Sequence, residues 1–152
     1  MRLSFPVLST ARLTVTLTLA IAIAIISGQA MACSCQRDPT AEGLLDSAAA
    51  VFTGTVEENL PIVQGASVTT FRVTETFKGP PRGTVLRVKH PDGPSPSCGV
   101  TFSPGETYTL AAYPTDDADA LATSFCSTWM FLPHVGLSRK LIERMREIGP
   151  RP

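Results

Sequence analysis

The sequence predicts an all-β fold with flanking helices: a small five-stranded antiparallel barrel, a short N-terminal helix and an amphipathic C-terminal helix. Three observations carry that expectation. Between residues 51 and 131, β-branched and aromatic residues recur in short runs, several alternating with polar ones, and alternation of period two marks half-buried strands. Clusters of Gly, Pro, Asp and Ser separate the runs, as turns require. Helical spacing of apolar residues is confined to the two ends, near 38–49 and 138–148.

A leading segment precedes these elements and is excluded from the fold. Arg2 and Arg12 come before an apolar stretch from Leu13 to Ile26, and Ala30-Met31-Ala32 closes it, which is the layout of a cleaved signal peptide. Its apolar core, about 14 residues, is shorter than the roughly 20 that cross a bilayer as a helix. Residues 1–32 are therefore expected to be removed on export, leaving a chain that begins at Cys33 and forms one domain over 33–152.

In the first helix, Asp38 is the expected N-cap and Pro39 the first helical position, with Ala41, Leu44, Leu45, Ala48 and Ala49 at helical spacing. Val51–Val56 is the first strand. The second runs from Val68 to Phe77, with Phe71, Val73 and Phe77 on one face and Thr70, Arg72, Thr74 and Thr76 on the other. After the turn at 78–83, Thr84–His90 alternates through Leu86 and Val88, and a loop follows at Pro91–Pro96. Thr107–Tyr113 is the fourth strand. The acidic loop Asp116-Asp117-Ala118-Asp119 lacks the spaced oxygen ligands of a calcium site and reads as a solvated turn. A last strand is expected near Ala122–Phe131. Ser138–Ile148 is a helix with Ser138 as N-cap, Leu141, Ile142, Met145 and Ile148 on its apolar face, and Gly149-Pro150 as its stop. Arg139, Lys140, Arg144 and Arg146, interleaved with Glu143 and Glu147, read as a solvated face rather than a lipid-binding one.

Charge and motifs narrow the function. With Arg2 and Arg12 in the leading segment, 11 of the 13 basic residues remain against all 13 acidic ones, so no electrostatic footprint for nucleic acid is present. An enzyme needs a nucleophile with a base, or paired acids. His90 and His134 each lie beside a proline, where a solvated or structural histidine is expected, and no Gly-x-Ser-x-Gly, His-Glu-x-x-His or Gly-rich phosphate loop occurs. No catalytic residue and no cofactor is assigned.

Cys33, Cys35, Cys98 and Cys126 all survive the trimming, and an even number in an exported chain reads first as disulfides. A Cys33–Cys35 bridge across one residue fits the usual Cα separation of about 5.5–6 Å poorly. The two remaining pairings both fasten the N-terminal tripeptide to the segments around Cys98 and Cys126. A structural zinc site is disfavoured because only one Cys-x-Cys and two isolated cysteines are present. Copper is disfavoured because bridging competes for the thiolates, leaving Met130 and Met145 as soft partners.

Cys33-Ser34-Cys35 at the cleavage site, the helix leading to Ala50-Val51-Phe52-Thr53-Gly54, Ser97-Cys98-Gly99-Val100-Thr101-Phe102 and Cys126-Ser127 together resemble the tissue inhibitor of metalloproteinase family. The resemblance covers most of 33–131. It implies an OB-fold barrel of the netrin-module type, bridges Cys33–Cys98 and Cys35–Cys126, and a secreted inhibitor acting as a monomer on a zinc metalloprotease. The α-amine and carbonyl oxygen of Cys33 would bind the protease's catalytic zinc, Ser34 would face the S1′ pocket, and Ser97, Cys98, Gly99 and Val100 would form a second strip of the contact ridge, with Cys35 bracing the terminus. The family's third bridge in this domain and its disulfide-rich second subdomain are absent; Leu45 stands where the third bridge's first cysteine is sought.

Two rivals share the sequence. Cys33 after Ala32 resembles a lipobox, which would place a lipid on its sulfur and anchor the protein at the cell envelope, although Ala30 stands where leucine is usual. Alternatively, an exported OB-type module would bind a protein or oligosaccharide through a barrel face carrying Tyr108, Tyr113 and Trp129, against which stands the simpler reading of Trp129 and at least one tyrosine as packing.

Overall fold

Beta-branched and aromatic runs separated by glycine turns fold into a mainly β architecture in the computed structural model, which describes residues 33, 35, 39–62, 65–93, 98–132 and 138–151. Five strands, β1 (Ala50–Ile62), β2 (Ala66–Lys78), β3 (Val85–Pro91), β4 (Thr107–Pro114) and β5 (Leu121–Ala122), are joined by the helices α1 (Ala41–Ser47), α2 (Phe125–Thr128) and α3 (Ser138–Ile148) and a 3₁₀ turn at Trp129–Phe131. The sheet closes on itself in the order β1-β2-β3-β5-β4. It is mixed rather than wholly antiparallel, because β5 runs parallel to β3 through Val88–Leu121 and Lys89–Ala122. The chain reaches β5 after β4 and pairs it antiparallel with Tyr113 and Pro114; a short strand inserted between β4 and β3 must then run along one of them.

Closure depends on β1, which pairs with β2 along its length and with β4 over Ala50–Thr55. Register shifts at Val51/Phe52, Thr53/Gly54 and Val56/Glu58 interrupt the β1–β2 ladder, and bulges of this kind bend and twist a strand. Gly54 suits the tight curve, since a Cβ there would sit 3.0 Å from the Phe52 ring and 3.2 Å from the Arg72 carbonyl oxygen.

Alternate residues divide between two cores. Ala50, Phe52, Val56, Phe71, Val73, Val88, Phe102, Leu110 and Ala112 pack together as one cluster. Val51, Phe77 and Ala111 instead join Leu44, Leu45, Met130, Phe131, Leu141 and Met145 in a second cluster with the helices. Phe77 therefore does not share a core with Phe71 and Val73 as the alternation predicts. The β2–β3 ladder ends at Arg72–Val85, and beyond it β2 continues to the helices.

Both terminal helices form, each with a shifted N-terminus. Helix α1 starts after Thr40, whose Oγ1 accepts from the Gly43 N–H at 3.1 Å; Asp38, the expected cap, lies outside the described residues. Ser138 is already helical instead of capping. Leu141 and Met145 are buried, as the apolar stripe of α3 requires, and Gly149 takes the left-handed φ of 83° that ends it. The basic residues of α3 are not simply solvated: Arg144 binds Glu42 at 2.8 Å and Arg146 grips Glu75 through two bonds of 2.7 and 2.9 Å. Such half-exposed pairs each contribute at most about 1 kcal/mol, but they fix the helix against α1 and β2.

The expected strand at Ala122–Phe131 is a correction. Only Leu121–Ala122 is extended, and Phe125–Phe131 is helical. Thr123 ends the ladder by giving its N–H to Lys89 O and its hydroxyl to Ala111 O. Thr128 Oγ1 then bonds back to Ser124 O and Phe125 O, the local bonding by which Ser and Thr divert a backbone from a sheet. The acidic loop is a turn, with Asp117 accepting from the Asp119 N–H and pairing with Lys89 at 2.7 Å.

Candidate functional site

Two cysteines one residue apart can each be fastened to a separate segment of the fold, one in the turn after β3 and one in α2, and here they are. Cys33 is bonded to Cys98, with Cα atoms 5.5 Å apart, and Cys35 to Cys126, with Cα atoms 5.1 Å apart. The bridges span sequence separations of 65 and 91; loops of that order restrict the unfolded chain by about 4 kcal/mol each in the chain-entropy account. Two such bonds point to an oxidising, extracellular-type environment. Among the described residues no helix is long and apolar enough to cross a membrane.

The two anchors are themselves joined. Cys126 lies in α2, and the Phe125 N–H beside it donates to Cys98 O at 3.0 Å. Cys98 is the one non-glycine among the described residues with a positive φ, 57°, a conformation that needs support from its surroundings. The Cys33 bridge and the Phe125 N–H hold Cys98 itself, and Asp92 braces the backbone on either side: Oδ1 accepts from the Gly93 N–H at 2.9 Å and from the Thr101 hydroxyl at 3.4 Å, while Oδ2 accepts from Ser67 Oγ at 3.0 Å. Val100 N–H donates to Pro91 O at 3.0 Å.

Gly99 is buried in this turn, and a Cβ there would lie 2.8 Å from Gly93 O and 2.9 Å from Asp92 O. Both are backbone atoms and cannot swing aside. Gly99→Ala should therefore displace the Cys98–Val100 turn and lower stability by roughly 1–3 kcal/mol; a urea midpoint unchanged from the parent protein would refute this account of the glycine.

Of the residues assigned to the site from sequence, Cys33, Cys35, Cys98 and Val100 are partly buried around the bridges and Gly99 lies beneath them. Ser34 and Ser97 lie outside the described residues, as does His134. Tyr108, Tyr113 and Trp129 do not assemble on one face. Tyr113 and Trp129 pack against the helical core, whereas Tyr108 stacks edge-on to Phe102 with centroids 5.0 Å apart.

Sequence reasoning missed a buried polar row beside the turn. Thr69 and His90 are 0% and 2% exposed. The signal was the alternation itself, since Thr69 stands two positions before Phe71 and His90 two after Val88. His90 Nε2 is 2.7 Å from Thr69 Oγ1, Nδ1 is 3.1 Å from Pro91 O, and the ring meets Phe102 edge-on at 4.8 Å. Burial holds His90 below the ordinary histidine range, against the upward pull of the Pro91 carbonyl, the Asp92 carboxylate and the Val100 carbonyl.

Comparison with known proteins adds no relative: no family model matches the chain, and no curated protein matches it in sequence.

Proposed function

We propose that the mature protein is a secreted inhibitor of zinc metalloendopeptidases that acts through its N-terminal residue. The observation that carries this reading is the double clamp on residues 33–35, with its two anchors joined by the Phe125–Cys98 hydrogen bond. In a chain cut after Ala32, the α-amine and carbonyl oxygen of Cys33 are separated by one Cα and close a five-membered chelate ring on a metal. They would take the position that a catalytic zinc keeps open for water. An α-amine with an ordinary pKa of about 7.7–8.0 gives up its proton readily to zinc, and a terminus already fixed to the fold loses little freedom on docking. Ser34 would then face the S1′ pocket, and the Ser97–Val100 segment, tied to Cys33 through Cys98, would line the second strip of contact.

The sheet order supports reading the fold as an OB-type barrel, a five-stranded Greek-key arrangement. A lipid on Cys33 Sγ and the Cys33–Cys98 bridge exclude each other, so the bridge favours the inhibitor over the lipoprotein. The barrel-face module keeps one favourable observation, a recess of about 490 Å³ whose lining includes Val100, Phe102, Tyr108, Phe125, Phe131 and Leu132.

Intact mass and inhibition test the proposal together. The secreted protein should have the mass of residues 33–152 less four hydrogens, should inhibit members of a panel of purified zinc endopeptidases, and should bind more weakly as pH falls and the amine protonates. Ser34→Arg should impair that inhibition; an added lipid mass, or inhibition indifferent to Ser34→Arg, overturns the reading.

A further inference from the structure

Beneath the Cys98–Phe102 turn, hydrogen bonds link the β1–β2 hairpin to the end of β3, and their donors and acceptors balance for only one charge state of His90. A carbonyl can only accept, so Asn59 must turn its Nδ2 to Phe102 O, 3.1 Å away. Its Oδ1 therefore points at Thr69 Oγ1, 2.9 Å away, and takes the single hydroxyl proton of Thr69. His90 Nε2 lies 2.7 Å from that same hydroxyl oxygen and must then be a donor. His90 Nδ1, 3.1 Å from Pro91 O, must be a donor as well. A histidine that donates from both nitrogens is the imidazolium. With neutral His90, Asn59 Oδ1 and His90 Nε2 compete for one proton; His90 and Thr69 are buried whereas Asn59 is half-buried, so the hydroxyl proton goes to Nε2, where an unmatched acceptor is costly, and Asn59 Oδ1 is left to water.

The surroundings contain few other charges. From β2, His90 meets Thr69; from the turn, Phe102 and the Val100 carbonyl; from the end of its own strand, Asp92, among the described residues the one charged group whose field acts on it. Lys89 is engaged by Asp117, and Glu57 of β1 by Arg72.

We propose that His90 is a proton-dependent latch: protonation completes the chain Phe102–Asn59–Thr69–His90–Pro91 and fastens the turn that carries Cys98 to the β1–β2 hairpin, and deprotonation turns the Thr69 hydroxyl to His90 and releases Asn59. The latch goes beyond the inhibitory reading and does not depend on it. Linkage makes the effect reciprocal: whatever protonation adds to the Asn59 bond, Asn59 adds to the proton affinity of His90. Burial acts on the whole fold with the opposite sign. A histidine held below its unfolded value contributes stability that is present above that value and is lost as pH falls through the lowered one.

An NMR titration of the folded protein, with His134→Gln removing the second imidazole signal, tests the latch without any protease. We expect neutral His90 to carry its proton on Nδ1, the Asn59 side-chain amide to shift with the His90 midpoint, and Thr69→Val and Asn59→Ala each to lower that midpoint by about one pH unit, a tenfold loss of proton affinity. A neutral ring protonated on Nε2, an Asn59 amide that does not respond in the unsubstituted network, or midpoints unchanged in both variants would each overturn it. The first two readings need no substitution at Asn59 or Thr69, so a variant that fails to fold leaves the test intact.

Discussion

Adding a single alanine before Cys33 should abolish inhibition, weakening it by about three orders of magnitude or more, equivalent to roughly 4 kcal/mol. The extension converts the α-amine into a peptide N–H, which has no lone pair to give to zinc, and puts a residue where the metal must sit. Both bridges remain in place, so folding is spared. Far-UV circular dichroism and the urea midpoint of the extended protein should match the parent while the inhibition constant collapses. Equal potency of the two forms would remove the terminal chelate from consideration, leaving the recess beside Val100 as the contact surface.

Phe71→Ala should cost about 3–5 kcal/mol, as burying an aromatic and then deleting it generally does. Phe71 is fully buried and meets Phe52 and Phe102 edge-to-face, with centroids 5.8 and 5.0 Å away. Its loss opens a cavity in the core enclosed by the strands and withdraws support from Phe102, whose carbonyl holds Asn59. Thermal unfolding should fall by roughly 10–20 °C for a domain of this size. Truncating Leu60, which is 50% exposed on the hairpin, provides the contrast and should change stability by less than about 0.5 kcal/mol. Similar losses from both substitutions would show that the core does not center on the aromatic row.

Much of the strand pattern was legible because alternation is a direct consequence of a sheet having two faces. Val68–Phe77, Thr84–His90 and Thr107–Tyr113 fall within a residue or two of β2, β3 and β4. The β1 strand runs on to Ile62, past the expected end at Val56, because a long hairpin partner continues its ladder after the alternation fades. Ala122–Phe131 failed as a strand for a different reason: Thr123 spends its hydroxyl on the cross-strand Ala111 carbonyl, a choice that depends on a tertiary neighbour, and Thr128 bonds locally to the Ser124 and Phe125 carbonyls, which a β-like composition does not reveal. Parallel pairing of β5 with β3 has no local signature either.

Within the candidate site, the cysteines and their bridging were visible, while their supports were not. Nothing in Asp92 distinguishes it in sequence from any loop aspartate, yet it organizes the turn through three hydrogen bonds. Gly99 is required by the approach of a backbone that is remote in the extended chain. Thr69 and His90 did have a signal, since both occupy inward positions of the alternation, but a polar residue at such a position announces only that a partner exists and not which one.

The bond from the Phe125 N–H to Cys98 O has a kinetic consequence for oxidation. It joins the two anchoring segments directly rather than through the N-terminal tripeptide. Once either bridge closes, the remaining thiol of that tripeptide is delivered to its partner at a high effective concentration, since only one residue separates Cys33 from Cys35. With a disulfide-exchange partner or other two-electron oxidant of the oxidising compartment to take up the electrons, the second disulfide should thus close much faster than the first, and reduction of either one alone should be readily reversed while that oxidant is present. Maturation of the terminus then behaves as a zipper with one slow tooth.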